Sequence, residues 1–291
     1  MSSPTSLVVV TGRDGATSEM RSFTCEAPRA VVVIVPAMGV AARFYDRFAE
    51  ALNQHDLQVF VTELRGIGSS SVRAKRGVAF GYHELVEDDL VRAVDEARAR
   101  SGSLPIHVLG HSLGGHLAIL FGGLHRDAVA SSIVVAGGTP WFMNWPLPMR
   151  AKVLFGSTVM RGVGLALGHV PGDKLGFGGR ESNGVVREWA RFVRTNRLEP
   201  RGYDRAELAR AMEASTIPLL GVSLEGDDWA PRISTDRLCE KLPNAQLTRI
   251  HMEQAEFAEK VDHFRWAKSP APVARVVAEW ISRVANSSPK R

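Results

Sequence analysis

Short runs of apolar, β-branched residues alternate along the chain with longer stretches in which apolar residues recur every three or four positions. The run at 30–35 (AVVVIV) has no polar position and is typical of a strand that is buried on both faces of a sheet. The longer stretches are typical of helices that pack one face on a core. The pattern predicts strands at 7–11, 30–35, 58–64, 106–109, 132–136, 217–224 and 246–251, and helices at 43–54, 83–100, 113–124, 185–194, 234–241 and 271–284.

This alternation predicts an α/β fold with a mostly parallel central sheet that is flanked by helices. The alternation stops after the strand at 132–136 and resumes at 217–224. The segment between them is rich first in tryptophan and proline and then in glycine, which makes poor core material. Because its two ends return to predicted strands, we interpret it as an inserted, mainly helical cap. The predicted division is a core formed by 1–137 and 216–291, with the cap at 138–215.

The amino-acid composition excludes several classes of protein. With 291 residues, 45% of them hydrophobic and 23% charged, the chain has ordinary globular proportions, which exclude a collagen-like, coiled-coil or disordered protein. Its formal net charge is +5, but the basic residues are spread along the chain near acidic ones, so we expect no nucleic-acid partner. The two cysteines, Cys25 and Cys239, lie far apart without metal-ligand spacing, so neither a disulfide framework nor a cysteine-based zinc site is expected.

The sequence also carries signals that bear on the cellular compartment. No run of about 18 apolar residues occurs, so no transmembrane helix and no stable membrane insertion are expected. Residues 1–10 carry neither the basic start nor the cleavage site of a signal peptide. Together with the low cysteine content, these features predict a cytoplasmic protein and leave its oligomeric state open.

A serine stands in a glycine-rich turn between a predicted strand and a predicted helix. Residues 110–115 read GHSLGG, so Ser112 occupies the centre of a G-x-S-x-G motif in the strand–turn–helix context that this motif requires. Such a turn lifts the serine Oγ above the carboxyl edge of the sheet. The backbone N–H of Leu113 would then lie at the helix N-terminus, where it can stabilise an oxyanion. The alternative is a tight glycine-rich turn without a catalytic role.

At these residues the chain resembles the α/β-hydrolase superfamily, and the resemblance extends over about 7–284. It is similar in particular to bacterial predicted hydrolases related to serine aminopeptidases and monoglyceride lipases. That group places Pro-Ala-x-Gly where most members have His-Gly, and residues 36–39 read PAMG here. The segment 168–194 also resembles the cap of that group, and residues 63–69 (ELRGIGS) resemble a loop of the superfamily. The resemblance implies an α/β-hydrolase fold and places the second oxyanion donor at the backbone N–H of Met38.

A serine hydroxyl needs a general base, and the base needs a carboxylate that orients it. In this superfamily the acid follows a late strand, commonly as an aspartate four residues before a proline. Counting back from Pro231 gives Asp227, just after the predicted strand at 217–224. The adjacent Asp228 is an alternative, and so is a structural role for both aspartates as caps of the next helix.

Two histidines compete for the role of the base. His263 lies in the loop before the last predicted helix, where the superfamily carries its catalytic histidine, although Asp262 stands where glycine is usual. His251 lies within the last predicted strand, where its ring would pack in the sheet. The resemblance therefore favours a triad of Ser112, Asp227 and His263.

Large apolar residues of the predicted cap are candidates for the wall of a substrate pocket. Trp229, beside the candidate acid, would close this pocket. Packing within the cap's own core is the alternative for the cap residues. These candidates are Trp141, Phe142, Trp145, Met149, Phe155 and Trp189.

Together these features predict a serine hydrolase that cleaves an ester or thioester of a largely apolar acyl group through an acyl-enzyme. The expected partner is a small-molecule or carrier-bound acyl substrate, and neither a cofactor nor a metal ion is expected. The alternatives are an acyltransferase or cyclase that uses the same acyl-enzyme, a non-catalytic ligand-binding member of the fold, and a peptidase. A protein that only binds a ligand would not need a serine–histidine–acid set.

Overall fold

A sheet of eight strands forms the centre of the computed structural model, which describes residues 4–175 and 178–287. Its strands are β1 (Ser6–Thr11), β2 (Thr17–Phe23), β3 (Ala30–Val35), β4 (Leu57–Val61), β5 (Ile106–His111), β6 (Ser131–Val135), β9 (Pro218–Leu224) and β10 (Gln246–Met252), and β7 (His169–Pro171) and β8 (Arg180–Ser182) form a separate hairpin. The order in the sheet is β1-β2-β4-β3-β5-β6-β9-β10. The pairs β1–β2 and β2–β4 are antiparallel and the other pairs are parallel, which confirms the predicted mostly parallel sheet.

Helices flank this sheet. Short 3-10 turns lie at Ala42–Tyr45, Arg126–Ala128, Phe142–Asn144, Gln254–Glu256 and Arg265–Ala267, and a π-helical segment, Leu85–Leu90, joins the second and third helices. The α-helices are α1 (Asp46–Asn53), α2 (Tyr82–Glu84), α3 (Val91–Ser101), α4 (Leu113–Leu124), α5 (Leu147–Leu167), α6 (Gly172–Leu175), α7 (Asn183–Thr195), α8 (Arg205–Ala214), α9 (Arg232–Cys239) and α10 (Ala271–Ser287).

The side chains of β3 alternate between two apolar cores, as those of a strand buried on both faces must. Val33 belongs to the core that also contains apolar residues of α3 and α4. Ile34 belongs to the core on the other face, with residues of α1 and α10. All six residues of β3 are buried, which confirms the strand predicted at 30–35.

Among the elements that the hydrophobic pattern did not predict, β2 and α5 show most clearly why. The strand β2 (TSEMRSF) mixes polar and apolar residues, because part of it is exposed beside the edge strand β1. The helix α5 is 21 residues long but has no clear polar face, since apolar residues such as Leu147, Phe155 and Leu165 occupy its exposed side. A pattern that relies on one buried stripe cannot find such a helix.

The segment between β6 and β9, here named the insert, comprises residues 136–217 and forms the helices α5 to α8 and the hairpin of β7 and β8. The helices α5 and α7 pack on each other, and Met160, Val170 and Val186 form a small apolar core there. This segment is mainly helical, and its boundaries as a separate cap at 138–215 stay a prediction. Within the described ranges, no helix combines the length and the apolar composition that crossing a bilayer requires.

The loops that follow β3, β5, β9 and β10 converge at one edge of the sheet, because parallel strands end on the same side. The loop after β3 contains residues 36–39, and Ser112 directly follows β5. Asp227 follows β9, and His263 follows β10. The fold therefore brings the sequence-predicted residues to one place.

Candidate active site

Ser112 occupies the sharp turn between β5 and α4. Its backbone has φ 54° and ψ −116°, a conformation that a residue with a side chain rarely adopts. The turn is possible because two glycines lie where strand and helix cross. A Cβ atom on Gly110 would overlap the carbonyl oxygen of Gly114, and one on Gly114 would overlap the carbonyl oxygen of Val35. The turn leaves Ser112 partly exposed in the wall of a cavity.

The ring of His263 lies between Ser112 and Asp227. Its Nε2 is 2.9 Å from the Oγ of Ser112, and its Nδ1 is 3.0 and 2.9 Å from the two carboxylate oxygens of Asp227. A carboxylate only accepts, so Nδ1 carries the proton and Nε2 of the neutral ring can accept the serine proton. Both His263 and Asp227 are 3% exposed, so water competes little for these contacts. This is the geometry that activates a serine hydroxyl.

The two adjacent aspartates have different environments. Asp227 is buried, and its Oδ1 also accepts hydrogen bonds from the backbone N–H groups of Trp229 and Ala230, at 2.9 and 2.8 Å. These bonds hold the carboxylate in place and satisfy its charge. Asp228 is exposed and lines the cavity. The structure thus brings Asp227, and not Asp228, to the histidine.

The two candidate histidines also differ in their positions and partners. His251 lies in β10, and its Nδ1 is 2.9 Å from the Oγ of Ser223 in the neighbouring strand. The loop that carries His263 is fixed by Asp262, whose Oδ1 accepts the backbone N–H groups of Phe264 and Arg265. Asp262 therefore forms the turn that glycine usually allows in the superfamily.

Residues 37–40 form a tight turn beside the serine. The N–H of Val40 donates to the carbonyl oxygen of Ala37 at 3.1 Å, and Gly39 has φ +71°. A positive φ at the third position is characteristic of a type II turn, in which the N–H of the second residue, here Met38, takes no part. Met38 and Leu113 both line the cavity, and neither backbone N–H has an acceptor among residues 4–175 and 178–287. The two N–H groups are therefore available to an oxyanion.

A cavity of about 630 Å³ opens above Ser112 and His263. Its wall is mainly apolar, and among the described residues the charged side chains that line it are those of Lys152 and Asp228, while His116 and His263 contribute their rings. Apolar residues contribute most of the wall, chiefly from α5 and the loops but also from α4 and α7, namely Met38, Leu113, Trp145, Met149, Val153, Phe155, Val159, Met160, Trp189, Trp229 and Phe264.

The predicted pocket residues divide into two groups. Trp145, Trp189 and Trp229 line the cavity, as do Met149 and Phe155. Trp229 is 51% exposed and stacks on the ring of His263, with centroids 5.8 Å apart and an interplanar angle of 19°. The indole N–H of Trp145 donates to the carbonyl oxygen of Asp228 at 2.9 Å, which joins the insert to the loop that carries the acid.

Trp141 and Phe142 are not among the residues that line this cavity. The guanidinium of Arg237 lies 4.7 Å from the ring centroid of Trp141, and Phe142 packs edge-on against the same ring. Asn144 ends the short helix that contains Phe142 and donates to Thr139, which keeps this turn beside α9. Sequence position alone could not distinguish this packing from a pocket wall.

Sequence reasoning missed several buried polar groups around the site. Tyr45 and His111 form a hydrogen bond of 2.7 Å beneath the serine. His116 lines the cavity, and burial lowers its pKa to about 4, so its ring is neutral at pH 7. Glu181 is 5% exposed beside Gly178, and burial raises its pKa to about 7. His111 belongs to the serine motif and Glu181 to the segment 168–194, but the sequence indicated no role for either side chain.

The hairpin of β7 and β8 lies directly on the turn at residues 37–40. A Cβ atom on Gly39 would overlap the backbone of Gly178 and Gly179. Glu181 accepts the N–H of Gly179 at 2.9 Å and so fixes this end of the hairpin. Part of the insert therefore touches the loop that presents Met38 to the cavity.

Comparison with known proteins agrees with this architecture. Residues 26–168 match the family model of the serine aminopeptidase S33 hydrolases. A protein of Schizosaccharomyces pombe named "Putative monoglyceride lipase" is 36% identical over 115 residues, which are 38% of this chain and 30% of that protein. The monoglyceride lipase of Homo sapiens is 33% identical over 93 residues, or 32% of this chain and 30% of that protein. The matched segment thus spans less than a third of either relative.

The structural likeness extends further along the chain. The crystal structure of the Paleococcus ferrophilus monoacylglycerol lipase superposes with a TM-score of 0.59, covering 92% of this chain and 98% of that chain at 17% identity. At that identity the likeness shows the fold alone. The mostly parallel sheet, the serine turn after β5 and the structural likeness together show that the chain has the α/β-hydrolase fold.

Proposed function

We propose that the chain is a serine hydrolase of carboxylic esters. The observation that carries this proposal is the unbroken series of hydrogen bonds from Asp227 through His263 to Ser112, at the wall of an apolar cavity. A series of this kind serves nucleophilic catalysis, whereas ligand binding alone does not require it.

The proposed reaction follows from the positions of these groups. His263 Nε2 accepts the hydroxyl proton while Ser112 Oγ attacks the carbonyl carbon of the ester. The oxyanion that forms is stabilised by the N–H groups of Met38 and Leu113. Its collapse breaks the ester C–O bond, and His263 returns the proton to the leaving alcohol. Water then attacks the acyl-enzyme by the same steps and releases the acid.

The cavity favours an ester with one apolar acyl chain. Its volume of about 630 Å³ lies within the range of pockets that enclose one small molecule. Lys152 and Asp228 are both exposed, so the charged part of the wall lies towards solvent. We propose that the acyl chain lies along α5 and that the polar alcohol part lies near these charged residues. The names of the curated relatives support a monoacylglycerol as one such substrate.

We also propose that residues 138–215 act as the cap of this site. The support is that this segment supplies much of the cavity wall, including Trp145 just before α5, Met160 in α5 and Trp189 in α7. Removal of the cap would leave the triad open to water and remove the apolar surface that an acyl chain needs. A thioester with the same acyl group would fit the same chemistry and belongs in the test.

The test is a substrate panel with matched serine variants. We expect the protein to hydrolyse p-nitrophenyl octanoate and a monoacylglycerol, and we expect Ser112→Ala to lower kcat by about 10⁴-fold or more. Ser282→Ala, on the surface helix α10, is the control and should leave kcat unchanged. Wild-type rates in Ser112→Ala would overturn the proposal. Inclusion of an acyl-CoA and of an alanine p-nitroanilide measures the thioesterase and peptidase alternatives directly.

The products distinguish hydrolysis from acyl transfer. With glycerol, a long-chain alcohol and an amine present at equal concentration, the proposal expects free acid as the main product. A predominant ester or amide product would instead assign the acyl-enzyme to an acyltransferase. The triad would be retained in that case, since both reactions use the same acyl-enzyme.

A further inference from the structure

Two buried residues connect the loops that carry the oxyanion donor and the base. Tyr45 and His111 are fully buried, and neither lines the cavity. Tyr45 lies in the short helix Ala42–Tyr45, which follows the turn at 37–40, and His111 is the last residue of β5. The inference drawn from them rests on the proposed function, because it concerns how the same site is held together.

Three hydrogen bonds connect Ala37 to His263 through this pair, and each donates in the same direction. The N–H of Ala37 donates to the hydroxyl oxygen of Tyr45 at 2.9 Å. The hydroxyl is 2.7 Å from His111 Nδ1, and His111 Nε2 is 2.9 Å from the carbonyl oxygen of His263. A carbonyl can only accept, so His111 Nε2 carries the proton.

The remaining proton positions follow from the charge of the His111 ring. Burial lowers the pKa of His111 well below its usual range, and the neighbouring His263 lowers it further, so the ring is neutral and has one proton. With that proton on Nε2, Nδ1 is an acceptor and Tyr45 must donate to it. The hydroxyl oxygen is then free to accept from Ala37. Every polar atom of the pair therefore has a fixed partner.

This series of hydrogen bonds begins one residue before a proposed oxyanion donor and ends on the proposed base. Ala37 precedes Met38, whose N–H is a proposed oxyanion donor. The His263 carbonyl belongs to the base itself and also accepts the indole N–H of Trp266 at 3.0 Å. The ring of His111 packs against that of His263, with centroids 4.9 Å apart. A shift of Tyr45 or His111 would thus move both loops relative to Ser112.

We propose that Tyr45 and His111 are positioning residues that fix the oxyanion loop and the His263 loop relative to each other. They do not touch the reacting atoms. Their contribution is to hold the Met38 N–H and the His263 ring at the separation that the transition state needs. Oxyanion donors and general bases lose much of their catalytic effect when they are displaced by about 1 Å or less.

A second tyrosine–histidine pair supplies an internal control. The hydroxyl of Tyr82 is 3.1 Å from His116 Nδ1, and His116 Nε2 is 2.8 Å from the carbonyl oxygen of Gly138. Tyr82 is also fully buried and does not line the cavity. This pair has the same chemistry but reaches neither Ala37 nor His263. Loss of the Tyr82 hydroxyl should therefore cost stability without moving the two loops.

The experiment compares Tyr45→Phe, His111→Gln and the double variant with Tyr82→Phe. Phenylalanine keeps the ring volume, and glutamine keeps a donor for the His263 carbonyl while losing the ring acceptor for Tyr45. With kcat normalised to the fraction of sites titrated by a fluorophosphonate, we expect Tyr45→Phe to lower kcat about tenfold to hundredfold and to change KM less than threefold. The affinity for a trifluoromethyl ketone, which forms a tetrahedral adduct, should fall in parallel. Tyr82→Phe should keep kcat within twofold.

The double variant tests whether the two residues act as one unit. If they do, it should lose no more activity than the more impaired single variant, because either change already breaks the chain. A Tyr45→Phe enzyme with kcat within twofold of wild type, a double variant with the product of the two losses, or an equal kcat loss in Tyr82→Phe would each overturn the inference. If His111→Gln does not fold, the Tyr45→Phe and Tyr82→Phe comparison decides alone.

Failure of this inference can be distinguished from failure of the proposed function. Wild-type protein that hydrolyses esters and labels at Ser112, with an unimpaired Tyr45→Phe variant, overturns the positioning role only. Wild-type protein that neither labels nor hydrolyses any ester overturns the proposed function and the positioning role with it.

Discussion

The two sides of the cavity are constructed differently. On the sheet side, Ser112, His263 and Asp227 follow strands and are joined by hydrogen bonds of 2.9 to 3.0 Å. On the insert side, α5 supplies apolar residues without directional bonds, and Phe155 and Val159 are 73% and 43% exposed. Directional bonds fix positions, whereas apolar contacts depend mainly on area. The sheet side is thus suited to fixed chemistry and the insert side to the choice of acyl group.

The largest effect should come from the acid of the sheet side. Asp227→Asn keeps the size of the side chain but cannot hold His263 in the tautomer that leaves Nε2 as acceptor, so we expect kcat to fall about 10³- to 10⁴-fold. The matched control is Asp228→Asn, one residue away and exposed, which should change kcat less than threefold. Steady-state ester hydrolysis measures both. Equal losses would remove the distinction between the two aspartates.

The next effect should come from the oxyanion loop. Proline suits the second position of a type II turn, so Met38→Pro deletes the N–H while keeping the turn. We expect kcat to fall about 10²- to 10³-fold, as for the loss of one oxyanion donor elsewhere. Met38→Leu keeps the N–H and a similar side chain, so its kcat should stay within about threefold. A fully active Met38→Pro protein would show that the donor lies elsewhere.

A buried histidine of the sheet and a buried glutamate of the insert should change the free energy of unfolding with pH in opposite directions. Burial lowers the pKa of His107, in β5, to about 4, so its stabilising contribution is present above its ordinary value of 6.5 and is lost as pH falls towards 4. Burial raises the pKa of Glu181, in the insert, to about 7, so its contribution is present below 4.5 and is lost as pH rises through 7. Each amounts to about 2 kcal/mol between pH 5 and pH 7.5.

Urea unfolding of two variants at these two pH values measures the contrast. Relative to wild type, His107→Asn should gain about 2 kcal/mol on going from pH 7.5 to pH 5, because the variant has no histidine to protonate on unfolding. Glu181→Gln should gain about the same amount in the opposite direction, from pH 5 to pH 7.5. Changes of the same sign in the two variants would contradict the assignment.

The smallest effect should come from the exposed wall of the insert. Phe155→Ser removes apolar contact area near the mouth, so we expect KM for a long-chain ester to rise about three- to tenfold with kcat nearly unchanged. Phe155→Leu retains most of that area and is the control. A butyrate ester, too short to extend along α5, should show no change. If both esters respond equally, the residue does not select the chain.

The same contrast explains what the sequence could predict. The strand β3 and the turn at Ser112 were predictable because continuous burial and close backbone crossing restrict the residue types allowed. His263 and Asp227 could be predicted from the order in which the serine, the acid and the histidine follow one another in the superfamily that the chain resembles. The helix α5 was missed because its exposed side is apolar, and the packing of Trp141 on Arg237 could not be predicted because it depends on tertiary contacts. Tyr45 escaped because nothing near it in sequence marks a hydrogen bond to His111.

The most direct measurement of the central claim is the mass of the protein after reaction with a fluorophosphonate, followed by peptide mapping. The account predicts one adduct per chain, located on Ser112, absent from Ser112→Ala and formed far more slowly in Asp227→Asn. An adduct on a different residue, or full labelling of Ser112→Ala, would contradict it.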